Sequence, residues 1–169
     1  MFTTVRNFNE LFELELRYAY DCEKKLVDKG LPSMIKAAQS QELRIALQQH
    51  LEETRRHITR LETVFSACNL APETKGNSIL TELMDAAEDS ASNIKAPELR
   101  DAALIANANL VEHYEMALYG TLAAWARQMG FQEAAVQLEQ TLNEEKAADA
   151  TLTGLATRSA NVRAARTGG

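Results

Sequence analysis

The chain contains 169 residues, of which 46% are hydrophobic and 25% are charged, and its formal net charge is −6. This length fits one domain with a substantial core, and the acidic balance argues against a general nucleic-acid binder, which needs a basic face for phosphates. The sequence also predicts no membrane span, because no uninterrupted apolar run approaches the roughly 18 residues that a spanning helix requires.

The first predicted helix covers residues 7–30. Asn7 and Glu10 have the spacing of a loose capping box, and Gly30 is the predicted end of the helix. Pro32 then opens a short helical segment, "PSMIKAAQS", because proline is tolerated in a first helical turn. A second long helical pattern, with a period of about 3.6 residues, runs from about residue 41 to residue 69.

The turn-rich stretch "NLAPETKGNS" separates the second long helix from the rest of the chain. A short helix, "SILTELMDAAEDSASN", follows, and two further long helices are predicted over residues 96–130, ending at Gly130, and over residues 131–159. This order predicts an all-α, four-helix bundle with an additional short helix in the crossover between the second and third long helices. The bundle is expected to span residues 1–157, and residues 158–169, which lack an apolar stripe, are expected to form a flexible tail.

A weak internal repeat pairs residues of metal-ligand type at an offset of 92 positions (115 − 23): Glu23 with Glu115, Glu53 with Glu145, and His57 with Asp149. In both halves, 30 residues separate the two glutamates (53 − 23 and 145 − 115). Each of these four glutamates lies on the apolar stripe of its helix, so their carboxylates are expected to meet inside the bundle. Glu112 lies one turn before Glu115, and His57 lies one turn after Glu53.

Buried carboxylates need a cation, because one ionised group in a core without a partner costs several kcal/mol. The lysines and arginines near these acids fall off the apolar stripes, so the economical partner is a metal, and the number of acids indicates two ions. Carboxylates combined with imidazole favour iron, with manganese as the alternative. His50 shares the stripe and either joins the ligands or hydrogen-bonds one of them. The same choice is open for Tyr20 and Tyr119.

Four stretches of the chain resemble the signature stretches of the YciE/YciF family of bacterial, stress-associated, ferritin-like proteins: "ELRYAYDCEKKL", "HLEETRRHITRLE", "RDAALIANANLVEHYEMALYGTL" and "TLNEEKAADATLTGLA". The resemblance implies an up-down ferritin-like bundle with a di-iron centre, and a dimer. By matching position it assigns six acids to that centre: Glu23, Glu53, Glu112, Glu115, Glu145 and Asp149. With His57, which stands where glutamine is common in the family, these acids complete the predicted metal-binding set. Tyr18 is a second departure, because relatives often carry aspartate there.

The metal-binding set predicts a di-metal oxidoreductase that reacts with oxygen or peroxide, without assigning individual catalytic residues. Cys22 and Cys68 cannot build the four-cysteine iron site of a rubrerythrin-type reductase, so electrons would come from an external donor. Both lie in predicted helices and lack a CxxC pairing, which is typical of core thiols in a cytoplasmic protein. Two alternatives stay open: a non-catalytic stress protein that serves as a structural or partner-binding scaffold, and an iron-storage protein.

The outer surface supports two further expectations. The short crossover helix carries four large apolar residues that a four-helix core has no room for, which predicts a homodimer: Ile79, Leu80, Leu83 and Met84. Glu144, next to a predicted ligand, is expected to face solvent.

Overall fold

Seven α-helices and two π-helical turns account for most of residues 4–167, the part of the chain that this computed structural model describes. The helices are α1 (Phe8–Lys25), α2 (Leu31–Ala37), α3 (Gln41–Ala67), α4 (Ser78–Asn93), α5 (Pro97–Gln128), α6 (Gln132–Leu155) and α7 (Asn161–Ala164). The predicted all-α class is confirmed, and the short crossover helix is α4.

The four long helices, α1, α3, α5 and α6, form the bundle, and each packs against two of the others. α1 runs antiparallel to α3, because Tyr20 contacts Glu62 and the later Glu23 contacts the earlier His57. Side-chain contacts also show α1 antiparallel to α5 and α5 antiparallel to α6. α3 and α5 therefore run in the same direction, and residues 68–96, which include α4, cross the length of the bundle. This is the predicted connection.

The starts of α1 and α3 are each held by a side chain that accepts hydrogen bonds from backbone N–H groups. The side chain of Asn7 accepts a hydrogen bond from the Glu10 backbone N–H at 2.9 Å, which confirms the predicted start of α1. At the start of α3, the buried carboxylate of Asp101 on α5 accepts the backbone N–H groups of Gln39 and Ser40 at 2.7 and 2.8 Å. These bonds attach the turn between α2 and α3 to the bundle.

The prediction that Gly30 ends the first helix is wrong. Residues 26–30 form a π-helical turn, in which the Leu31 N–H donates to the Leu26 carbonyl, and Gly30 itself has a helical φ of −57°. The chain therefore stays helical from α1 into α2. Pro32, which has no N–H to donate, lies in the first turn of α2, directly after the π-helical turn. A Cβ at Gly30 would lie 3.0 Å from the Leu26 side chain, so the turn favours glycine through close packing.

The C-terminal segment is helical beyond the predicted boundary at residue 157. Residues 156–160 form a second π-helical turn and residues 161–164 form α7. Ala160 is buried, and the Arg163 guanidinium lies 3.7 Å from Asp101. Residues 158–164 therefore pack against α5 in the structure, and residues 168 and 169 of the predicted tail lie outside the described residues.

The bundle interior has two apolar ends and a polar middle. Aromatic and aliphatic side chains fill one end, where Phe12, Phe65 and Leu122 are buried together. Leucines fill the other end, including Leu47 and Leu104. Between the two lies a layer of buried acids and histidines, which the apolar ends separate from water. Within residues 4–167, none of the helices has an apolar stretch long enough to cross a membrane.

Candidate metal centre

Six titratable side chains from all four long helices meet in the middle of the bundle and are called the polar layer here: Glu23, His50, His57, Glu112, Glu115 and Glu145. None of them is more than 7% exposed. Charged residues are almost never this buried unless they are paired or bind a metal. The polar layer is therefore the part of the molecule with the strongest chemical requirement for a ligand.

The polar layer divides into two groups of ligand-type atoms, and within each group the atoms lie within 4.8 Å of one another. The His57 group consists of Glu23, His57 and Glu145. The His50 group consists of His50, Glu112, Glu115 and Glu145. Glu145 belongs to both: its Oε1 lies 3.0 Å from His57 Nδ1, and its Oε2 lies 3.9 Å from His50 Nε2. A carboxylate with one oxygen toward each of two groups has the form of a bridging ligand.

In the His57 group, the imidazole faces two carboxylates. His57 Nδ1 lies 3.5 Å from Glu23 Oε1 as well as 3.0 Å from Glu145 Oε1, without the alignment of a hydrogen bond to either. Glu23 Oε1 also accepts a hydrogen bond from the Tyr119 hydroxyl, which is buried. Tyr119 therefore touches the group directly.

The outer side of the His57 ring is held by Glu144, which the sequence analysis expected to face solvent. His57 Nε2 lies 2.7 Å from Glu144 Oε2, and Arg60 donates to both oxygens of Glu144 at 3.0 and 3.1 Å. Arg60 also donates to the Thr141 hydroxyl at 2.6 Å. Partial burial acts to raise the pKa of Glu144, but the hydrogen bonds from Arg60 and His57 outweigh it and lower that pKa to about 2.

Because Glu144 is ionised, it can only accept, so His57 Nε2 must be the donor. In the neutral ring, Nδ1 then carries the lone pair, and this lone pair faces Glu23 and Glu145. A carboxylate behind a histidine in this way fixes both the tautomer and the ring orientation that a metal ligand needs.

In the His50 group, the imidazole connects the centre to the edge of the bundle. His50 Nε2 lies 3.2 Å from Glu112 Oε1, and His50 Nδ1 lies 3.7 Å from Glu53 Oε2. The Cys22 thiol donates to Glu115 Oε1 at 3.5 Å. Glu53 is 23% exposed, and the His50 residue itself is 7% exposed, whereas His57 is 0% exposed.

The carboxyl groups of the polar layer bind protons more tightly than ordinary glutamates do. Burial raises the pKa of Glu23, and burial together with the neighbouring carboxylates raises the pKa of Glu115 well above its usual value. Burial also raises the pKa of Glu112 to about 8, although His50 opposes the shift. Like charges at these separations cannot all ionise, so the metal-free layer retains protons at neutral pH.

The two histidines are shifted in the direction that favours their charged forms. Burial acts to lower the pKa of His50, but Glu112, Glu53 and Glu145 outweigh it and raise that pKa to about 9. Burial likewise opposes the shift of His57, where Glu145 and Glu23 raise the pKa to about 11. A bound dication would replace these protons and satisfy the same carboxylates.

Many polar atoms of the layer are buried without a hydrogen-bond partner in the described part of the chain. They are Oε2 of Glu23, Glu112 and Glu115, both oxygens of Glu145, and Nδ1 of His50 and His57. Each unsatisfied buried polar atom costs about 1–3 kcal/mol, and more if charged, so such a concentration in one layer requires a compensating partner. Oxygen and imidazole donors fit iron or manganese.

Comparison with known sequences identifies the family. The profile of the family described as "Domain of unknown function (DUF892)" matches residues 7–165. The chain belongs to the DUF892 family. It is 38% identical to Protein YciF of Escherichia coli strain K12 over 161 residues, a match that covers 95% of this chain and 96% of that protein. The predicted resemblance to YciE/YciF proteins is confirmed.

Solved structures show the same fold. The crystal structure of the E. coli stress protein YciF, at 38% identity, superposes with a TM-score of 0.89 over 93% of this chain and 99% of that chain. The protein YcfI from Rhodopseudomonas palustris, for which a structural role is proposed, also has 38% identity, with a TM-score of 0.86 over 90% and 98% of the two chains. A Xanthomonas campestris protein at 23% identity, with a TM-score of 0.72 over 95% and 98% of the two chains, shares the fold.

In this DUF892 protein, five of the seven predicted metal-binding residues lie in the polar layer: Glu23, His57, Glu112, Glu115 and Glu145. The other two lie outside it. Glu53 contacts His50 but belongs to neither group, and Asp149 Oδ1 lies 3.3 Å from His113 Nδ1, with its side chain 23% exposed. Of the two tyrosines left undecided, Tyr119 contacts Glu23, whereas Tyr20 donates to Glu62 at 2.8 Å.

Sequence reasoning left His50 undecided and missed Glu144. The signal for His50 was its place on the stripe of Leu43, Leu47 and His57, all buried in the structure. Glu144 had no stripe signal, since adjacent residues of a helix lie about 100° apart around its axis and Glu144 therefore falls off the stripe of Glu145. Its role becomes visible only when α3 and α6 are placed side by side, with Arg60 and His57 opposite it.

Proposed function

We propose that the protein binds two divalent metal ions, iron or manganese, in the polar layer and that this centre reacts with oxygen or peroxide as part of a stress response. The similarity to the E. coli stress protein YciF supports the stress role. The two groups of ligand-type atoms support the metal count, since each offers at least three donors within 4.8 Å.

The observation that carries the proposal is the state of Glu145. Its side chain is 0% exposed, neither oxygen has a hydrogen-bond partner in the described residues, and each oxygen faces a different histidine. A core position of this kind is destabilising for a carboxylate unless it is paired with a cation. Metal ions held by both groups would pair with the two oxygens of Glu145.

The protein's own contribution is to hold, orient and isolate the ions. The His57 group and the His50 group supply the ligands, and Glu144 orients His57. Tyr119 and Cys22 donate hydrogen bonds to Glu23 and Glu115, which fixes one oxygen of each carboxylate and leaves the other free to bind. When bound, the ions supply the electrons and Lewis acidity with which oxygen or peroxide is reduced.

Electrons for repeated turnover come from a separate donor in this proposal. The chain has two cysteines, Cys22 and Cys68, and both are buried in different parts of the bundle. A four-cysteine iron site cannot be built from them.

The direct test is a metal titration followed by oxidation. Metal-free protein is titrated with Fe(II) or Mn(II) without oxygen, and two ions per chain are expected to bind. Addition of peroxide or oxygen to the Fe(II) form should then oxidise the iron faster than in protein-free buffer. The proposal would be contradicted if no metal bound tightly, or if only one ion bound per chain.

A scaffold function is the second candidate, favoured by the structural role proposed for the related R. palustris protein. In that case the ions only neutralise the buried acids, and the outer helix faces bind a partner. Iron storage uses the same fold and is distinguished by its stoichiometry. Metal that binds at two per chain but does not react with oxygen or peroxide would favour the scaffold, and uptake of many ions per chain would favour storage.

A homodimer is part of the same proposal, and the exposed apolar residues of α4 are the surface that supports it. Of the four apolar residues on α4, Leu80 is 0% exposed and packs in the core, while Leu83 and Met84 are half-buried and Ile79 is 58% exposed. The exposed apolar patch is therefore smaller than the sequence indicated. Light scattering at micromolar concentration tests the association. It should give about twice the 18.7 kDa mass of one chain.

A further inference from the structure

A small cavity lies between α3 and α6, directly beside the His50 group. Its volume is about 100 Å³. At its outer end the lining residues Gln49, Ala147 and Thr151 are exposed, and at its inner end lies the buried ring of His50. Four larger cavities in the described part of the chain are lined by no member of the polar layer. Of these five cavities, this is the one that reaches a member of the polar layer.

The polar groups along this cavity form a series. The Glu53 carboxylate is partly exposed, its Oε2 lies 3.7 Å from His50 Nδ1, and His50 Nε2 lies 3.2 Å from Glu112. His50 Nδ1 is buried and has no hydrogen-bond partner in the described residues. An anionic oxygen at the opening, followed by an unpartnered imidazole nitrogen, is a sequence of donors that a cation can follow inward.

The cavity also has a size limit. A volume of about 100 Å³ holds roughly three waters at about 30 Å³ each, whereas sites for organic ligands have about 300–1,000 Å³. Alanines form much of the wall, with Ala46 on α3 and Ala147 and Ala148 on α6. The opening exists because these side chains end at Cβ, so a larger residue at any of them would narrow it.

We propose that this cavity is the access path by which divalent cations reach the centre, with Glu53 as the receiving carboxylate and His50 as the first nitrogen ligand inside. The inference rests on the proposed metal-binding function. In this proposal, an entering cation meets Glu53 before it reaches the two ligand groups, and Glu53 therefore belongs to neither group. The path passes ions and molecules the size of oxygen or peroxide and excludes organic substrates.

The test narrows the cavity from each of its two walls and measures the rates at which a metal ion binds and dissociates. Ala147 is exposed and helical, so Ala147→Leu can be accommodated without repacking the core, and Ala46→Leu narrows the opposite wall. Ala150→Leu, on an exposed face of the same helix and absent from the cavity lining, is the matched control. Metal-free full-length protein is mixed with Co(II), whose visible absorption reports binding, and dissociation is followed by adding a chelator in excess.

Narrowing the path should slow both association and dissociation by about tenfold or more in Ala147→Leu and in Ala46→Leu, with the equilibrium affinity unchanged and the control unaffected. A merely structural disturbance would change the affinity instead. Unchanged rates in both variants, or a changed affinity with unchanged association, would overturn the access path while leaving the metal centre intact. If the unmodified protein binds no Co(II), the proposed function fails, and the path fails with it.

Discussion

The two halves of the polar layer use the same residue types in different settings. In the His57 group, the ring is enclosed: His57 is 0% exposed, Glu144 and Arg60 hold its outer nitrogen, and Tyr119 holds Glu23. In the His50 group, the ring has no such support behind it. Its outer nitrogen faces Glu53 at 3.7 Å and lines the cavity that opens between α3 and α6.

This difference indicates a division of work between two metal positions. An oriented ring and a fixed tautomer reduce the reorganisation that binding requires, so the His57 group should bind the more tightly held ion. The His50 group should bind an ion that exchanges more easily and is reached first by small molecules. Glu145 links the two, since it contributes one oxygen to each.

The largest expected effect comes from removing the charge of Glu145, the residue that links the two groups. Glu145→Gln keeps the size of the side chain but removes the charge that both groups share, so metal content should fall from two ions per chain to almost none, a loss of affinity of more than about 100-fold. The metal-free variant should be less stable than the parent at neutral pH, because His57 and His50 lose a carboxylate that stabilises their charged forms. Inductively coupled plasma analysis and thermal unfolding measure both.

Glu139→Gln is the matched control, because Glu139 is on the same helix, is half exposed and pairs with Arg127 at the surface. A surface ion pair contributes only about 0–1 kcal/mol, so metal content should not change. Retention of two ions by Glu145→Gln would show that the two groups are not bridged and would remove the distinction drawn between them.

The helices and most of the acids could be predicted from the sequence because both follow from periodicity. The four glutamates on apolar stripes were recognisable since a helix repeats every 3.6 residues or so, and burial of a charge without a cation is costly. The internal repeat then suggested equal roles for Glu53 and Glu145. In the structure, Glu145 is 0% exposed and Glu53 is 23% exposed at the edge.

That symmetry breaks because of a residue the repeat does not contain. His50 lies one turn before Glu53 and occupies the inner place, whereas the offset of 92 (142 − 50) matches it with Leu142. The role of Glu144 could not be predicted either, since it depends on Arg60 and His57 of another helix. The end of the first helix was also misjudged, since Gly30 continues through a π-helical turn that local propensity does not signal.

The second largest effect is the pH dependence of metal binding. Burial raises the pKa of Glu112 to about 8 and also raises those of Glu23 and Glu115, so binding must release protons below that pH. Affinity should rise about tenfold per pH unit for each proton released. Because the pKa values of His50 and His57 are raised to about 9 and about 11, the rise should continue above pH 8. Titrations with Mn(II) between pH 6 and about pH 9 measure the slope.

The stability of the metal-free protein should change with pH in the direction opposite to metal affinity, so it should fall as pH rises. A carboxyl group whose pKa is raised in the folded state stabilises the fold fully below its unfolded pKa of about 4.3, and this stability is lost as pH rises through the folded pKa. For Glu112 that window ends near pH 8. Unfolding midpoints that rise with pH in the absence of metal would contradict the buried, protonated layer.

The third effect separates the two groups. Glu144→Ala removes the acceptor behind His57, so the tighter of the two binding steps should weaken by about 10–100-fold while the other step changes little. Glu144→Gln, which still offers a carbonyl oxygen to His57, should recover part of the loss. Co(II) titrations with two resolved steps provide the measurement, and Glu139→Ala is the control on the same helix. Equal weakening of both steps would contradict the division between the groups.

The smallest effect contrasts Tyr119 with Tyr20, which the sequence could not distinguish. Tyr119 donates to Glu23 inside the His57 group, so Tyr119→Phe leaves that oxygen with one partner fewer and should change metal affinity there by about tenfold or less, the equivalent of about 1.4 kcal/mol. Tyr20 donates instead to Glu62, outside both groups, and Tyr20→Phe should lower stability by about 1 kcal/mol without changing metal affinity. Both changes remove one hydroxyl and keep the ring, so packing is matched. Denaturant unfolding and metal titration of the two variants therefore isolate the contact with Glu23. An equal effect of both variants on metal affinity would show that the effect does not come from that contact.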